Sequence, residues 1–314
     1  MSFALPTSLA ALRGRGYEAR AMSSSTAASP PPPARPLGLA GRDGLPLAAD
    51  SYGDPAHPPV LLLHGGGQTR FAWGGTAQAL AADGWYAVSM DLRGHGESGW
   101  DPAGDYSVEA FVEDVQAVVA QLGATPVLVG ASLGGIAALI AEGEAHPSFA
   151  RALVLVDIAP RIEPSGAIRI IQFMQGKPGG FASLEEAADA VAAYLPHRRR
   201  PEDLSGLARN LRRTADGRLR WHWDPKFLEP GHGPRPGQDT DRLRAAARRL
   251  RVPTLLVRGR LSDLLSEEGA REFLALVPHA RFADVSDAGH MVAGDRNDLF
   301  SEAVVGFLRN DIPD

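Results

Sequence analysis

The run Pro126-Val127-Leu128-Val129-Gly130-Ala131-Ser132-Leu133-Gly134-Gly135 constrains this chain more than any other stretch. A short apolar segment enters Gly-x-Ser-x-Gly and leaves as Ile136-Ala137-Ala138-Leu139-Ile140-Ala141, which has the character of a helix. A buried strand turning this sharply into a helix holds the turn residue in a strained backbone conformation. Gly130 and Gly134 supply room, because a Cβ there would meet the neighbouring strand or helix. The pattern therefore predicts a serine hydroxyl held at the edge of a sheet and at a helix N-terminus, the strand–turn–helix setting in which serine nucleophiles are found. On its own the motif also describes a Gly-rich turn with an N-capping serine.

The flanking segments decide what kind of sheet this is. Pro59 to His64, Trp85 to Met90 and Ala152 to Val156 are short continuous apolar runs, as expected of strands buried on both faces. Helical patterns separate them, over Thr76 to Asp83 and from Ser107, a candidate N-cap, to Leu122. Upstream, Leu37 to Ala40 and Leu45 to Tyr52 are expected to pair across the turn Gly41-Arg42-Asp43-Gly44. After Pro160 the alternation stops until Val252 to Gly259; Ser266 to Leu276 (helix), Ala280 to Phe282 (strand) and Leu299 to Leu308 (helix) complete the pattern. The expected fold is α/β, a mostly parallel eight-stranded sheet covered by helices on both faces. Residues 36–160 and 247–314 form the core, and 161–246 form a mostly helical, arginine-rich cap inserted after strand 6. Residues 1–35, with Ser23-Ser24-Ser25-Thr26 and Pro30 to Pro33, read as a flexible tail, either a leader or an over-long start upstream of Met22.

Composition narrows the chemistry. The 314 residues contain no cysteine, which excludes disulfides, thiolate metal sites and a cysteine nucleophile and fits a reducing, cytoplasmic setting. A net charge of -5 gives no basic surplus for nucleic acid or an anionic membrane. No apolar run reaches the ~18 residues of a membrane span.

Acyl transfer by serine needs a base for the hydroxyl proton and an acid behind that base. In this topology the chain order is Ser, then Asp or Glu, then His. His290, in Asp287-Ala288-Gly289-His290 after the last strand, is the expected base. Asp263, in Arg260-Leu261-Ser262-Asp263 after the preceding strand, is the expected acid; Asp157, Asp284, Asp287, Glu267 and Glu268 compete with it, and Asp157 ends a strand nearer the serine. The oxyanion donors are expected to be the amides of Leu133 and of Gly66, in His64-Gly65-Gly66-Gly67, with Gly67 second. A phosphate-cradling loop is the other meaning of three glycines, but the Gly-Lys-Ser/Thr ending is missing. Gly67, Trp100 and Trp223 are expected to line the substrate pocket, and the Leu92 to Trp100 stretch to form a rigid turn beside it. Arg198, Arg199, Arg200, Arg212 and Arg213 read as a solvated cap surface, with attraction of an anion as the alternative.

These residues together resemble the α/β-hydrolase fold superfamily in its lidded branch, over roughly residues 36–314. The resemblance rests on His64 to Gly67, Asp91 to Ser98, Gly130 to Gly135, Arg258-Gly259 with Ser262-Asp263, and Gly289-His290. It implies a cap over Ser132 that selects what enters, a small-molecule substrate, and no metal or organic cofactor. Epoxide hydrolases and haloalkane dehalogenases carry Asp at the elbow, so Ser132 points away from an alkyl-enzyme route. Haloperoxidase-like esterases are more similar, although Gly66 stands where they usually have an aromatic residue. The expected activity is hydrolysis of a carboxylic ester or related acyl compound. Acyl transfer, perhydrolysis and carbon–carbon bond hydrolysis are alternatives on the same triad, and a slow ligand receptor is the alternative of another class. The expected assembly is a monomer or homodimer.

Overall fold

The computed structural model describes residues 33–196, 200–292 and 297–312. The first 32 residues of the expected tail, and Arg198 and Arg199, lie outside them. Eight strands form one sheet: β1 (Arg35–Ala40), β2 (Pro46–Tyr52), β3 (Pro59–Leu63), β4 (Tyr86–Met90), β5 (Val127–Ala131), β6 (Ala152–Val156), β9 (Thr254–Gly259) and β10 (Arg281–Val285). Their order is β1-β2-β4-β3-β5-β6-β9-β10. β2 pairs antiparallel with β1 and β4, and every other neighbour is parallel.

Side chains alternate between two cores, as the pleat requires. Val60 and Leu62 of β3 face the layer of α1 (Gly74–Ala82) and α9 (Asn297–Asp311), where Trp73, Leu80, Phe300 and Phe307 are buried. Leu61 and Leu63 face the other layer, built from α2 (Val108–Gln121), α3 (Ser132–Glu144), α7 (Thr240–Arg249) and α8 (Glu267–Leu276). Ser107 caps α2 by accepting from the Ala110 amide at 3.3 Å. Both faces are thus covered, which is why these strands read as unbroken apolar runs.

The insertion differs from its expected form in two ways. It holds α4 (Pro164–Gln175), α5 (Leu184–Tyr194) and α6 (Ser205–Ala208), but also a small antiparallel pair, β7 (Leu211–Arg213) with β8 (Leu219–Trp221). It also gives way to the core earlier than residue 246. α7 buries Leu243, Ala246 and Ala247, and packs so closely on α3 that a Cβ at Gly143 would stand 2.5 Å from the Ala246 carbonyl oxygen. α7 therefore belongs to the layer covering the sheet, and its arginines face outward because its apolar stripe is narrow.

Candidate active site

The elbow is built by the absence of side chains. Ser132 opens α3 directly after β5 with φ of +46°, a conformation unusual for a residue with a Cβ. A Cβ at Gly130 would lie 2.6 Å from the Gly134 carbonyl oxygen, one at Gly134 would lie 2.5 Å from that of Leu63, and one at Gly135 would lie 2.5 Å from Ile158 Cγ2. The Gly134 amide donates to the His64 carbonyl at 3.1 Å, fixing the helix start against the end of β3.

The glycine loop that follows β3 is shaped by two side chains. His64 is fully buried; its Nε2 accepts from the Leu92 amide at 3.0 Å, so Nδ1 carries the proton and donates to the Gly65 carbonyl at 2.8 Å. Burial lowers its pKa to about 4, which keeps the ring neutral. Gln68 Oε1 accepts from the Gly65 amide at 2.9 Å and closes the turn. The loop reaches Ser132: a Cβ at Gly65 would be 3.2 Å from Ser132 Cβ, and one at Gly66 3.9 Å from Leu133 Cδ2. Leu133 is in the first turn of α3, where an amide has no acceptor within the helix.

His290 follows β10, and its Nδ1 donates to a carboxylate at 2.7 Å. That carboxylate is Asp157, not Asp263. Asp157 is fully buried at the end of β6, with φ of +51°. Its Oδ1 accepts from the Gly259 amide at 3.0 Å, and its Oδ2 accepts from Ser262 Oγ at 2.5 Å as well as from His290. Ser262 Oγ is itself set by the Leu264 and Leu265 amides, each at 3.1 Å. Asp263 is 44% exposed and pairs with Arg169 of α4 at 3.0 Å. The loop after β9 thus supplies the serine that supports the carboxylate, while the aspartate beside it pairs with the insertion. The signal in the sequence was Asp157 itself, an acid ending the strand next to β5 and of a residue type that tolerates positive φ.

Ser132, His290, Gly66 and Gly67 line one cavity of about 990 Å³ between the sheet edge and the insertion. Trp223 lines it too, stacked on Trp221 with ring centroids 5.2 Å apart and planes inclined by 12°. Most of the wall is apolar, with Ile170, Phe173 and Met174 from α4, Val191 from α5, and Phe227. Trp100 is not part of it. It is 41% exposed beneath the Arg212 guanidinium, because the Gly99 amide donates to the Pro46 carbonyl at 2.7 Å and carries the turn toward β2. The rest of that turn is held by buried polar contacts: Arg93 grips Asp114 at 2.6 and 2.7 Å, and Asp91 accepts from Arg70 and from the Glu97 amide.

The insertion is pinned to this turn. His222 Nδ1 accepts from the Gly96 amide at 2.7 Å, so its Nε2 donates to the Gly67 carbonyl at 3.3 Å. The Asp224 amide donates to the Gly94 carbonyl at 2.8 Å, and Tyr106 donates its hydroxyl to Asp224 Oδ2 at 2.6 Å. Arg212 donates to the Gly96 carbonyl of the same turn, while Arg213 donates to the Gly217 carbonyl and Arg200 pairs with Asp189 within the insertion. Among the described residues no cluster of His, Asp and Glu suits a metal ion, and no helix is long and apolar enough to cross a membrane.

The strand order, the serine elbow after β5 and the histidine after β10 define a hydrolase of the α/β type. The sequence profile of the alpha/beta hydrolase fold family matches residues 58–296, and the chain belongs to that family. It is 30% identical to esterase Rv0045c of Mycobacterium tuberculosis over 273 residues, 83% of this chain and 86% of that protein. It is 32% identical to a 3-hydroxybutyrate-oligomer hydrolase of Cupriavidus necator over 260 residues, 78% of this chain and 86% of that one. Among solved structures, E-2-(acetamidomethylene)succinate hydrolase shares the fold, with a TM-score of 0.75 at 20% identity over 88% of this chain and 100% of that one. The protein is a hydrolase enzyme.

Proposed function

We propose that the protein hydrolyses carboxylic esters with an apolar acyl group through an acyl-enzyme. Ser132 attacks the carbonyl carbon as His290 Nε2 takes its proton. Asp157 holds Nδ1–H, so that Nε2 is the unprotonated nitrogen, and it balances the imidazolium that forms. The Gly66 and Leu133 amides receive the oxyanion, each worth about 10²–10³ in rate. The tetrahedral intermediate collapses as His290 returns the proton to the departing alcohol. Water then repeats the sequence on the acyl-enzyme and frees the acid. The observation that carries the reading is the His290–Asp157 pair at 2.7 Å, with His290 lining the same cavity as Ser132. The two relatives, an esterase and a 3-hydroxybutyrate-oligomer hydrolase, agree with it.

The apolar wall supports selection for acyl length. Burying a methylene contributes about 0.8 kcal/mol, so kcat/KM should rise by up to about fourfold per added carbon until the cavity is filled. p-Nitrophenyl esters of graded acyl length test this. Ser132→Ala, folded by circular dichroism, should lose about 10⁴-fold or more of the turnover. Retained turnover in that variant would remove Ser132 from the chemistry.

A further inference from the structure

We propose that Arg209, with Asn210, forms a subsite for a carboxylate carried by the substrate at the end remote from the scissile bond. The inference rests on the ester-hydrolase reading and names the class of ester. Both residues line the cavity, between α6 and β7. The Arg209 guanidinium lies 5.1 Å from the ring centroid of Phe71, in the 3₁₀ turn that follows the glycine loop. Stacking on a ring engages the face of a guanidinium and leaves the N–H edge available. Among the described residues Arg209 has no carboxylate partner, whereas Arg169, Arg200 and Arg220 of the same insertion each have one. Arg70, which also approaches the Phe71 ring at 4.4 Å, is paired with Asp50, Asp91 and Glu97.

Asn210 is oriented for the same task. Its Oδ1 accepts from Thr69 Oγ1 at 2.9 Å, which leaves the side-chain NH2 as the donor. Its main-chain carbonyl is taken by the His222 amide at 3.2 Å. The acids that line the cavity, Glu229 and Asp239, belong to the 228–240 segment together with Arg235, and none stands in the stretch around Arg209. A planar fork of N–H donors beside an amide donor matches a carboxylate in shape and charge. With an otherwise apolar wall, the matching ligand has a hydrocarbon body, an ester at Ser132 and an anionic end.

Two pairs of esters test this: mono-p-nitrophenyl adipate against p-nitrophenyl hexanoate, and the suberate hemi-ester against the octanoate. Each pair has one chain length and differs by a terminal carboxylate. In Arg209→Gln the ratio of kcat/KM, hemi-ester over neutral ester, should fall about tenfold in at least one pair, through KM, and Arg209→Lys should recover part of it. A ratio unchanged in both pairs overturns the subsite while leaving the hydrolase reading standing. Should the wild-type enzyme turn over none of the four esters, the hydrolase reading fails, and titration with adipate by calorimetry still decides the subsite: about tenfold weaker binding in Arg209→Gln supports it, and equal binding overturns it.

Discussion

Asp157→Asn separates the two candidate acids. In the wild type Asp157 accepts from Gly259, Ser262 and His290. An asparagine of the same shape can keep Oδ1 on the Gly259 amide, but its NH2 then faces both Ser262 Oγ and His290 Nδ1. Nδ1 must become an acceptor, the proton moves to Nε2, and the ring can no longer take one from Ser132. A wrong tautomer of this kind costs about 10⁴ in kcat, roughly 5.5 kcal/mol of transition-state stabilisation. Stability should fall less, by about 1–3 kcal/mol, because the packing is unchanged and each neighbour keeps a partner. Asp263→Asn removes only a pair in which both side chains are more than two-fifths exposed, Arg169 at 49% and Asp263 at 44%. Such a pair is worth about 0–1 kcal/mol, and kcat should change by less than about threefold. Both variants are assayed by steady-state hydrolysis of a p-nitrophenyl ester, with thermal unfolding to confirm the fold. An Asp157→Asn enzyme keeping more than a tenth of its kcat, or an Asp263→Asn enzyme losing most of its own, would refute the assignment.

Two predictions concern the fold. Gly134→Ala should destabilise the protein by several kcal/mol, since its Cβ would meet main-chain oxygens of Leu63 and His64 at 2.5 and 2.7 Å, whereas Gly38→Ala, with nothing within 4 Å, should change little; paired urea titrations check this. Stability should be level above about pH 6.5 and fall below it, because burial first of all lowers the pKa of His64 to about 4 and of His95 to about 3, so both stay neutral in the fold while the unfolded chain gains their protons. At pH 5 the loss is about 2 kcal/mol for each, and His222, also pushed well below its ordinary value by burial, adds in the same direction. Unfolding at pH 5.5 should therefore take up about two protons or more, read by calorimetry in buffers of different ionisation enthalpy; no uptake would contradict the neutral, buried state of these rings.

The central strands were legible because burial on both faces removes every polar constraint: Val60 to Leu63 and Ala152 to Val156 have no exposed side to mark. The elbow was legible because its glycines answer to main-chain atoms of other elements, and only glycine fits there. β7 and β8 were not, since Leu211-Arg212-Arg213 and Leu219-Arg220-Trp221 are half exposed and their pairing depends on the Thr214 to Gly217 turn and the bridge of Phe181 to Leu219. α7 was misassigned because its arginines outnumber the three buried residues that hold it to α3. Asp157 ends β6 and Asp263 lies in the loop after the neighbouring β9, and the local sequence does not say which one turns inward. The choice is made by the backbone at residue 157, where a positive φ brings the carboxylate under the Gly259 amide.

Placing the acid on β6 changes what the loop after β9 can do. Ser262 faces inward to Asp157, while one residue later the chain faces the insertion: the Leu264 carbonyl accepts from the Glu163 amide at 2.8 Å, and the Asp263 carboxylate holds Arg169. The contact is tight enough that a Cβ at Gly166 of α4 would stand 2.2 Å from the Asp263 carbonyl oxygen. α4 also supplies Ile170, Phe173 and Met174 to the cavity wall. A shift of α4 that widened the cavity would therefore pull on the loop in which Ser262, held by the Leu264 and Leu265 amides, supports the carboxylate behind His290. Had Asp263 been that carboxylate, it could not also have served as the anchor for Arg169. The division of labour between adjacent residues 262 and 263 lets one short loop support the carboxylate that holds His290 and also anchor the first helix of the insertion.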